Sequence, residues 1–301
     1  MNLPKDLKNK IKKAIPLAPR TTFRIGGKAQ YWYEPTDKKE LVYFLKETAG
    51  AVPFFVIGAG SNLLIKDGMI KKIFVHLNSD DFKKIEITGS CVVVGAGVKI
   101  NHLLGTLRSK NLGGYEFLAG IPGTIGGALV MNAGAKTDLS LPSSYREIGD
   151  IVSEVEVLDK AGRRLILKKE KIKFSYRYSS LKPYVIVSAK LKLQPASRNK
   201  VQETIRSIIK NRLKIQDGRT PSAGCFFKNP HRNESAGRLI DLCQLKGLKV
   251  GGARISVKHA NFIVNTGRAR SRDVLKLMEI VRKKVYNRFR IKLMPEVEVV
   301  S

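Results

Sequence analysis

Three glycine-rich segments constrain this chain more than any other feature. Gly58-Ala59-Gly60-Ser61-Asn62 follows directly on an apolar run at 53–57. Leu118-Ala119-Gly120-Ile121-Pro122-Gly123-Thr124-Ile125-Gly126-Gly127-Ala128 comes later, with Met131-Asn132-Ala133-Gly134-Ala135 just beyond. Segments with so few side chains let the backbone approach another body closely, and successive amides in such turns form concave anion sites. The first segment closes a strand, helix, strand pattern over residues 31–34, 37–48 and 53–57, in which Leu41, Phe44 and Leu45 share one helix face. The second places turn residues immediately before a helix-capable stretch, where amides without intrahelical partners suit a diphosphate.

The chain's two GxG sequences do not amount to the dinucleotide fingerprint of a doubly wound fold. Leu63 and Ile100 stand where a third glycine belongs after Gly58 to Gly60 and Gly95 to Gly97, and neither pair opens a convincing helix after its strand. Nicotinamide binding therefore does not follow from them.

Short strands at 91–94, 152–158, 164–167 and 185–193 and a helix at 100–110 fill the middle of the chain. After a break at 194–199, helical patterns run over 200–215, 234–243 and 271–289, with strands at 261–264 and 297–300. In the last helix Val274, Leu277, Met278, Val281 and Val285 share one face, so its arginines and lysines belong to a solvated face. The fold class is α+β, and 301 residues exceed what one core holds, so two or three domains are expected.

Composition removes several function classes. The first 19 residues alternate lysine with isolated apolar residues and supply neither a signal peptide nor a membrane span, so a cytoplasmic protein is expected, with no membrane partner. Only Cys91, Cys225 and Cys243 are present, without CxxC or clustered histidine spacing, so neither a disulfide framework nor a metal site is supported. A net charge of +31 raises nucleic-acid binding as a rival. The excess is shared between the first two thirds and the last third of the chain, however, and the one tryptophan and the core-patterned aromatics do not form a stacking surface. A lysine-rich solvated surface is the reading carried forward, with no nucleic acid expected.

Separated motifs, in order, resemble the UDP-N-acetylenolpyruvoylglucosamine reductase family. They are Thr22-Phe23-Arg24-Ile25-Gly26-Gly27, Gly58-Ala59-Gly60-Ser61-Asn62-Leu63-Leu64, the two later glycine segments and Tyr176-Arg177-Tyr178-Ser179. Further on come Ala223-Gly224-Cys225-Phe226-Phe227-Lys228-Asn229-Pro230, Gly247-Leu248-Lys249-Val250-Gly251-Gly252-Ala253, His259-Ala260-Asn261-Phe262-Ile263-Val264-Asn265 and Pro295-Glu296-Val297. The short third domain, with no aromatic loop insertion, looks like the type II branch of that family.

The resemblance implies an FAD-binding domain of the vanillyl-alcohol-oxidase (PCMH) type in two subdomains, 1–72 (with the C-terminal strand 294–301) and 73–198, and a C-terminal α+β substrate-binding domain, 199–293. It implies flavin contacts from Arg24, Gly58, Ala59, Gly60, Ser61, Asn62, Leu63, Gly123, Thr124, Gly126, Gly127, Asn132 and Ala133. It also implies FAD and NADPH as cofactors and reduction of UDP-N-acetylglucosamine enolpyruvate, a nucleotide sugar, to UDP-N-acetylmuramate. Arg177 matches the family's arginine for the charge developing on the substrate carboxylate, a task suited to a permanently protonated, bidentate guanidinium. Glu296 matches the assisting acid, and Cys225 the donor of the remaining proton, which a thiol releases far more readily than a serine hydroxyl does. Tyr178 and Asn229 are the candidate substrate contacts, with a packing role for Tyr176 and Tyr178 around Arg177 and a surface-loop role for Asn229 as the alternatives.

Cys225 as a small buried hydrophobe remains the bland alternative, and for Cys91 and Cys243 it is preferred. His259 is a loop-orienting or a ligand residue, and the other three histidines are incidental. The chain departs from the family pattern at residues 136–150, an insertion, and at Gln216-Asp217-Gly218-Arg219-Thr220, which leaves Arg212, Lys214 and Arg219 all open as the contact to the UDP diphosphate. A flavin-dependent alcohol or hydroxy-acid oxidase of the same fold is the rival enzyme. The oligomeric state is not legible.

Overall fold

Val155, Val157, Ala189 and Leu191 point to one side of neighbouring strands and are at most 1% exposed, which fixes the central sheet of the first of two compact units. The computed structural model describes residues 3–49, 52–138, 141–218, 220–231 and 234–301. This first unit comprises Met1–Lys13, Tyr31–Ala59 and Lys72–Asn211. Its five strands run in the order Arg164–Lys168, Val152–Leu158, Val185–Lys192, Cys91–Gly95 and Ile85–Thr88, with each neighbouring pair antiparallel. The short helices Ile100–Leu107 and Ile125–Val130 bury Leu103, Leu107, Ala128 and Leu129 in the same core.

The expected helix after Pro35 covers Lys38–Thr48, and the Asp37 carboxylate caps it by accepting from Glu40 N at 2.8 Å. Leu41, Phe44 and Leu45 are fully buried, as their shared face requires. The flanking strands are Lys28–Tyr33 and Phe54–Val56, but they are not neighbours: Met69–Val75 lies between them and pairs in parallel with Phe54–Val56. A helical crossover needs only a parallel partner in the same sheet, not the adjacent position.

One sequence expectation needs correction. The Gly95 to Gly97 turn is followed within three residues by the helix Ile100–Leu107, so that GxG does precede a helix. Its strand is paired antiparallel on both sides, and a Cβ on Gly95 or Gly97 would lie 2.2 Å from Phe82 O or 2.1 Å from Leu77 O. Backbone crowding explains those glycines.

The second unit comprises Ala14–Gln30, Gly60–Lys71 and Arg212–Ser301. A four-stranded sheet in the order Ser222–Cys225, Phe262–Asn265, Ala253–Ile255 and Lys249–Val250 carries the long helix Ser271–Phe289, whose buried residues include all five of the expected apolar face. Asp273 accepts from Arg270 N at 3.0 Å at its start, and Arg290, at φ +59°, ends it. The C-terminal strand Glu298–Val300 pairs in parallel with Leu63–Ile65, so the end of the chain extends the segment that follows the first glycine loop. Among the described residues no helix is long and apolar enough to cross a membrane.

Glu40 ties the start of the first unit together. Its carboxylate accepts from Tyr33 Oη at 2.7 Å, Thr36 N at 3.1 Å and the Thr36 hydroxyl, and Lys10 Nζ lies 3.1 Å away. Burial pushes the carboxyl up, but the donors from Thr36, Tyr33 and Lys10 together outweigh it and hold it at about 2. A carboxyl depressed on folding stabilises above its unfolded value and loses that contribution as pH falls through the folded one. The stability advantage of the native protein over Glu40→Gln is therefore expected to shrink between pH 4.5 and about 2. Urea unfolding across that range checks it, and a constant difference would contradict the assignment.

Candidate active site

Cys225 ends its strand opposite Phe262, while Ser222 sits opposite Val264, so the cysteine strand carries one extra residue. Gly224 absorbs it at φ +77°, a conformation that favours glycine, and its N–H donates to Ser222 Oγ at 3.0 Å. Bulges of this kind bend a strand and re-aim the side chains beside them. The Cys225 thiol is left half-buried.

Immediately after Cys225 the chain is held on both sides. Phe226 N donates to Asn261 O at 2.9 Å, and the Asn261 side chain clamps Phe227 by accepting from its N at 3.0 Å and donating to its O at 2.8 Å. On the other side Glu296 N donates to Phe226 O at 2.8 Å and Lys228 N to Met294 O at 2.9 Å. Glu296 is thus fixed by backbone pairing to the residue next to Cys225. Asn62 completes the frame: its Nδ2 donates to Glu296 O at 3.1 Å, and its own carbonyl accepts from Glu298 N at 3.0 Å. His259 Nδ1 accepts from Asn261 N at 3.3 Å, and burial lowers the ring's pKa, which favours that neutral acceptor. Within this unit the structure therefore brings together Cys225, Glu296 and Asn62, which the sequence had separated into three motifs.

Arg24 lies in the same unit at φ +54°. Asn265, buried at 7% exposure, donates its Nδ2 to the carbonyls of Phe23 and Arg24 at 3.2 and 3.3 Å. The Phe23 ring meets Phe226 edge-on at 5.4 Å. Asn229 Oδ1 accepts from Ala236 N at 3.1 Å at the start of the helix Ala236–Leu242. Arg212 and Lys214 sit in the last turn of the helix Arg198–Ile215, and Arg219 lies outside the described residues.

In the first unit, Tyr176 and Arg177 form the two-residue turn between the paired strands Phe174–Ser175 and Tyr178–Ser179. Arg177 has φ +53°, costly for a residue with a side chain and typical of positions that a surrounding structure over-determines. Its Nη1 donates to Gly134 O at 3.2 Å and to Tyr145 Oη at 3.0 Å, and the guanidinium carbon lies 5.3 Å from the centre of the Tyr176 ring. Tyr178 is 44% exposed. Tyr145 comes from the segment expected to be an insertion, and Tyr145–Glu147 pairs antiparallel with Gly134–Lys136. Sequence reading singled out neither Tyr145 nor Glu147, because their contacts reach across 32 and 15 residues and no local spacing signals them.

The glycine segments fit a phosphate-bearing cofactor. Among the described residues the amides of Gly58, Ala59, Gly60 and Ser61 have no acceptor, and Gly60 is buried at φ +61°. Thr124 caps the helix Ile125–Val130 by accepting from Gly127 N at 3.4 Å, and a Cβ on Gly58 would come within 2.4 Å of its hydroxyl oxygen. Gly126 is held close to Ala96, Gly123 lies at φ +151°, and Leu63 opens its strand. Asn132 is fully buried at φ +44°, with buried Ala133 following it.

Residues 29–168 match the family model of an FAD binding domain, so the class is that of a flavin-binding protein. Residues 214–300 match the C-terminal domain of UDP-N-acetylenolpyruvoylglucosamine reductase. The reductase of that name from Moorella thermoacetica is 40% identical over 286 residues, 94% of this chain and 91% of that one. Its namesake from Caldanaerobacter subterraneus is 37% identical over 292 residues, 95% and 92% of the two chains. The crystal structure of UDP-N-acetylenolpyruvylglucosamine reductase from Thermus caldophilus superposes with a TM-score of 0.83 at 33% identity, covering 97% of this chain and 99% of that one. The chain belongs to the UDP-N-acetylenolpyruvoylglucosamine reductase family.

The Asn261 clamp makes a direct prediction. Asn261→Ala leaves the N–H and C=O of fully buried Phe227 without their side-chain partners. The expected loss of stability is about 2 to 4 kcal/mol, read as a lowered midpoint of urea unfolding.

Proposed function

We propose that the chain reduces UDP-N-acetylglucosamine enolpyruvate to UDP-N-acetylmuramate with NADPH, through bound FAD, in peptidoglycan precursor synthesis. The observation that carries this reading is the backbone pairing that holds Glu296 one residue from Cys225, inside a segment matching the family's C-terminal domain. The glycine segments and Arg24 would hold the flavin, which would supply hydride for the enolpyruvyl carbon distal to the carboxylate.

The chain's own residues handle the charge and the proton. The Arg177 guanidinium is assigned to the substrate carboxylate, where negative charge grows as hydride arrives; an arginine already held in place needs little reorganisation at that moment. The Glu296 carboxyl is assigned to donate a hydrogen bond or proton to the same enolate oxygen, and the Cys225 thiol to protonate the adjacent carbon. One hydride and one proton balance the reduction of the double bond. Tyr178 and Asn229 are assigned to substrate contact. The division into two flavin subdomains and a substrate domain, at 1–72 with 294–301, 73–198 and 199–293, and a cytoplasmic location belong to the same proposal.

Purified protein is expected to be yellow, or to become so with added FAD, and to consume NADPH only when the enolpyruvyl substrate is present. NADPH consumption indifferent to that substrate would remove the assignment. Cys225→Ser is expected to keep both flavin and substrate binding, with the loss confined to substrate reduction as followed by stopped-flow reoxidation of the flavin. Loss of FAD from that variant would instead assign Cys225 a packing role.

A further inference from the structure

Arg24 is exposed and holds a left-handed backbone at φ +54°, a conformation that persists at an arginine only where the surroundings over-determine it. Its turn closes with Arg24 N donating to Thr21 O at 3.3 Å. The main support is Asn265, the last residue of the strand Phe262–Asn265. Its Nδ2 donates to Phe23 O at 3.2 Å and to Arg24 O at 3.3 Å, while its Oδ1 accepts from Gly267 N at 2.9 Å and from Ala269 N at 3.2 Å. A primary amide has two donor hydrogens and two acceptor lone pairs, so all four are used. The backbone behind that amide is fixed as well: Asn265 N donates to Pro221 O at 2.9 Å, and Asn265 sits opposite Ala253 in the sheet.

Two further ties run from the same turn to the segment that carries Cys225. Thr22 Oγ1 donates to Ser222 O at 2.8 Å, and the Phe23 ring meets Phe226 edge-on at 5.4 Å. The first glycine segment backs onto the turn, since a Cβ on Gly60 would lie 2.6 Å from Arg20 O and 2.9 Å from the Thr21 Cα. Burial and packing alone would be served by an apolar side chain at 265. An amide whose donor half is directed entirely at the carbonyls of residues 23 and 24 does something narrower: it sets the backbone direction at Arg24.

We propose that Asn265 is a positioning residue for Arg24, fixing the backbone from which the guanidinium reaches the bound flavin dinucleotide, with Thr22 as a second support. This rests on the assignment of Arg24 to the flavin. Substitution at residue 265 therefore weakens flavin binding, and does so through Arg24.

The test uses the full-length flavoprotein, whose release of FAD on dilution is followed by the rise in flavin fluorescence. Asn265→Asp keeps the acceptor for Gly267 and Ala269 but sets a carboxylate without a donor against the two carbonyls. It is expected to raise the Kd for FAD about tenfold or more. Thr22→Val, which keeps shape and removes one hydrogen bond, is expected to raise it about threefold. Arg24→Ala is expected to weaken FAD binding too, and in that background Asn265→Asp is expected to add almost nothing. An asparagine that merely stabilises the fold would lower FAD affinity by the same factor in both backgrounds. Should Asn265→Asp fail to fold, Thr22→Val carries the same cycle. Native FAD affinity in both Asn265→Asp and Thr22→Val, native affinity in Arg24→Ala, or factors that multiply across the Arg24→Ala background would each overturn the proposal. Native protein that neither holds nor takes up FAD would instead sink the functional reading on which the proposal rests.

Discussion

The run Phe226-Phe227-Lys228, held between Asn261 on one side and Met294 to Glu296 on the other, is the constraint on which the second unit depends. Only one of its two flanks is a sheet strand; the other is the chain's last irregular stretch, brought in by two backbone hydrogen bonds and the Phe227 to Pro295 bridge. If that pairing slipped by one residue, Glu296 would be moved away from Cys225 and its side chain reversed. Several independent ties prevent the slip. Asn62 bonds Glu296 and Glu298, the parallel pairing of Leu63–Ile65 with Glu298–Val300 continues the register, and Leu293 and Val297, nearly fully buried, anchor the stretch at both ends. The placing of Glu296 beside the Cys225 strand is here a consequence of register, which side-chain identity alone cannot supply.

Arg177 shows a different route to the same end. A left-handed backbone at an arginine costs free energy that a glycine would not incur, so the surroundings have to over-determine it. They do so through Ser175, whose carbonyl is bonded by buried Asn132, and through Gly134 and Tyr145, which take the guanidinium. Rigid support of this kind suits the role proposed for Arg177, because a side chain that must be reoriented during a reaction gives back much of its electrostatic advantage.

How much of this could be read from sequence varies with the reach of each interaction. The helix Ser271–Phe289 and the strand Val152–Leu158 coincide with their expected spans, because a five-residue apolar face and a β-branched run are local signals. The helix Lys5–Lys10 passed unnoticed, since Leu7 is its one buried residue and a single residue makes no period. The strand Lys12–Pro16 likewise lacks any buried position, and the arginine turn carries neither glycine nor asparagine to announce it. Cys225 and Glu296 were legible only through their motifs; nothing local says that Glu296 pairs with the residue next to Cys225. Residues 136–150 depart from the expected family pattern, and nothing local in them signals the strand Tyr145–Glu147 or the bond from Arg177 to Tyr145.

Acidic residues are scarce in this chain, 25 against 56 basic ones, and the places they occupy are informative. Asp37 and Asp273 sit at helix starts, Asp67 accepts from both the N–H and hydroxyl of Ser271, and Glu156 pairs with Lys38 and Arg164. In each case the carboxylate meets donors that repay its loss of water. Glu147 is different: one oxygen has an amide donor, the other has none among the described residues, and its carboxyl is raised by burial where those of Glu40, Glu156 and Asp81 are lowered. A chain this rich in cations could have neutralised that carboxylate with a lysine at little cost. Its donor among the described residues is instead the Asn132 amide, which also bonds the carbonyl of Ser175.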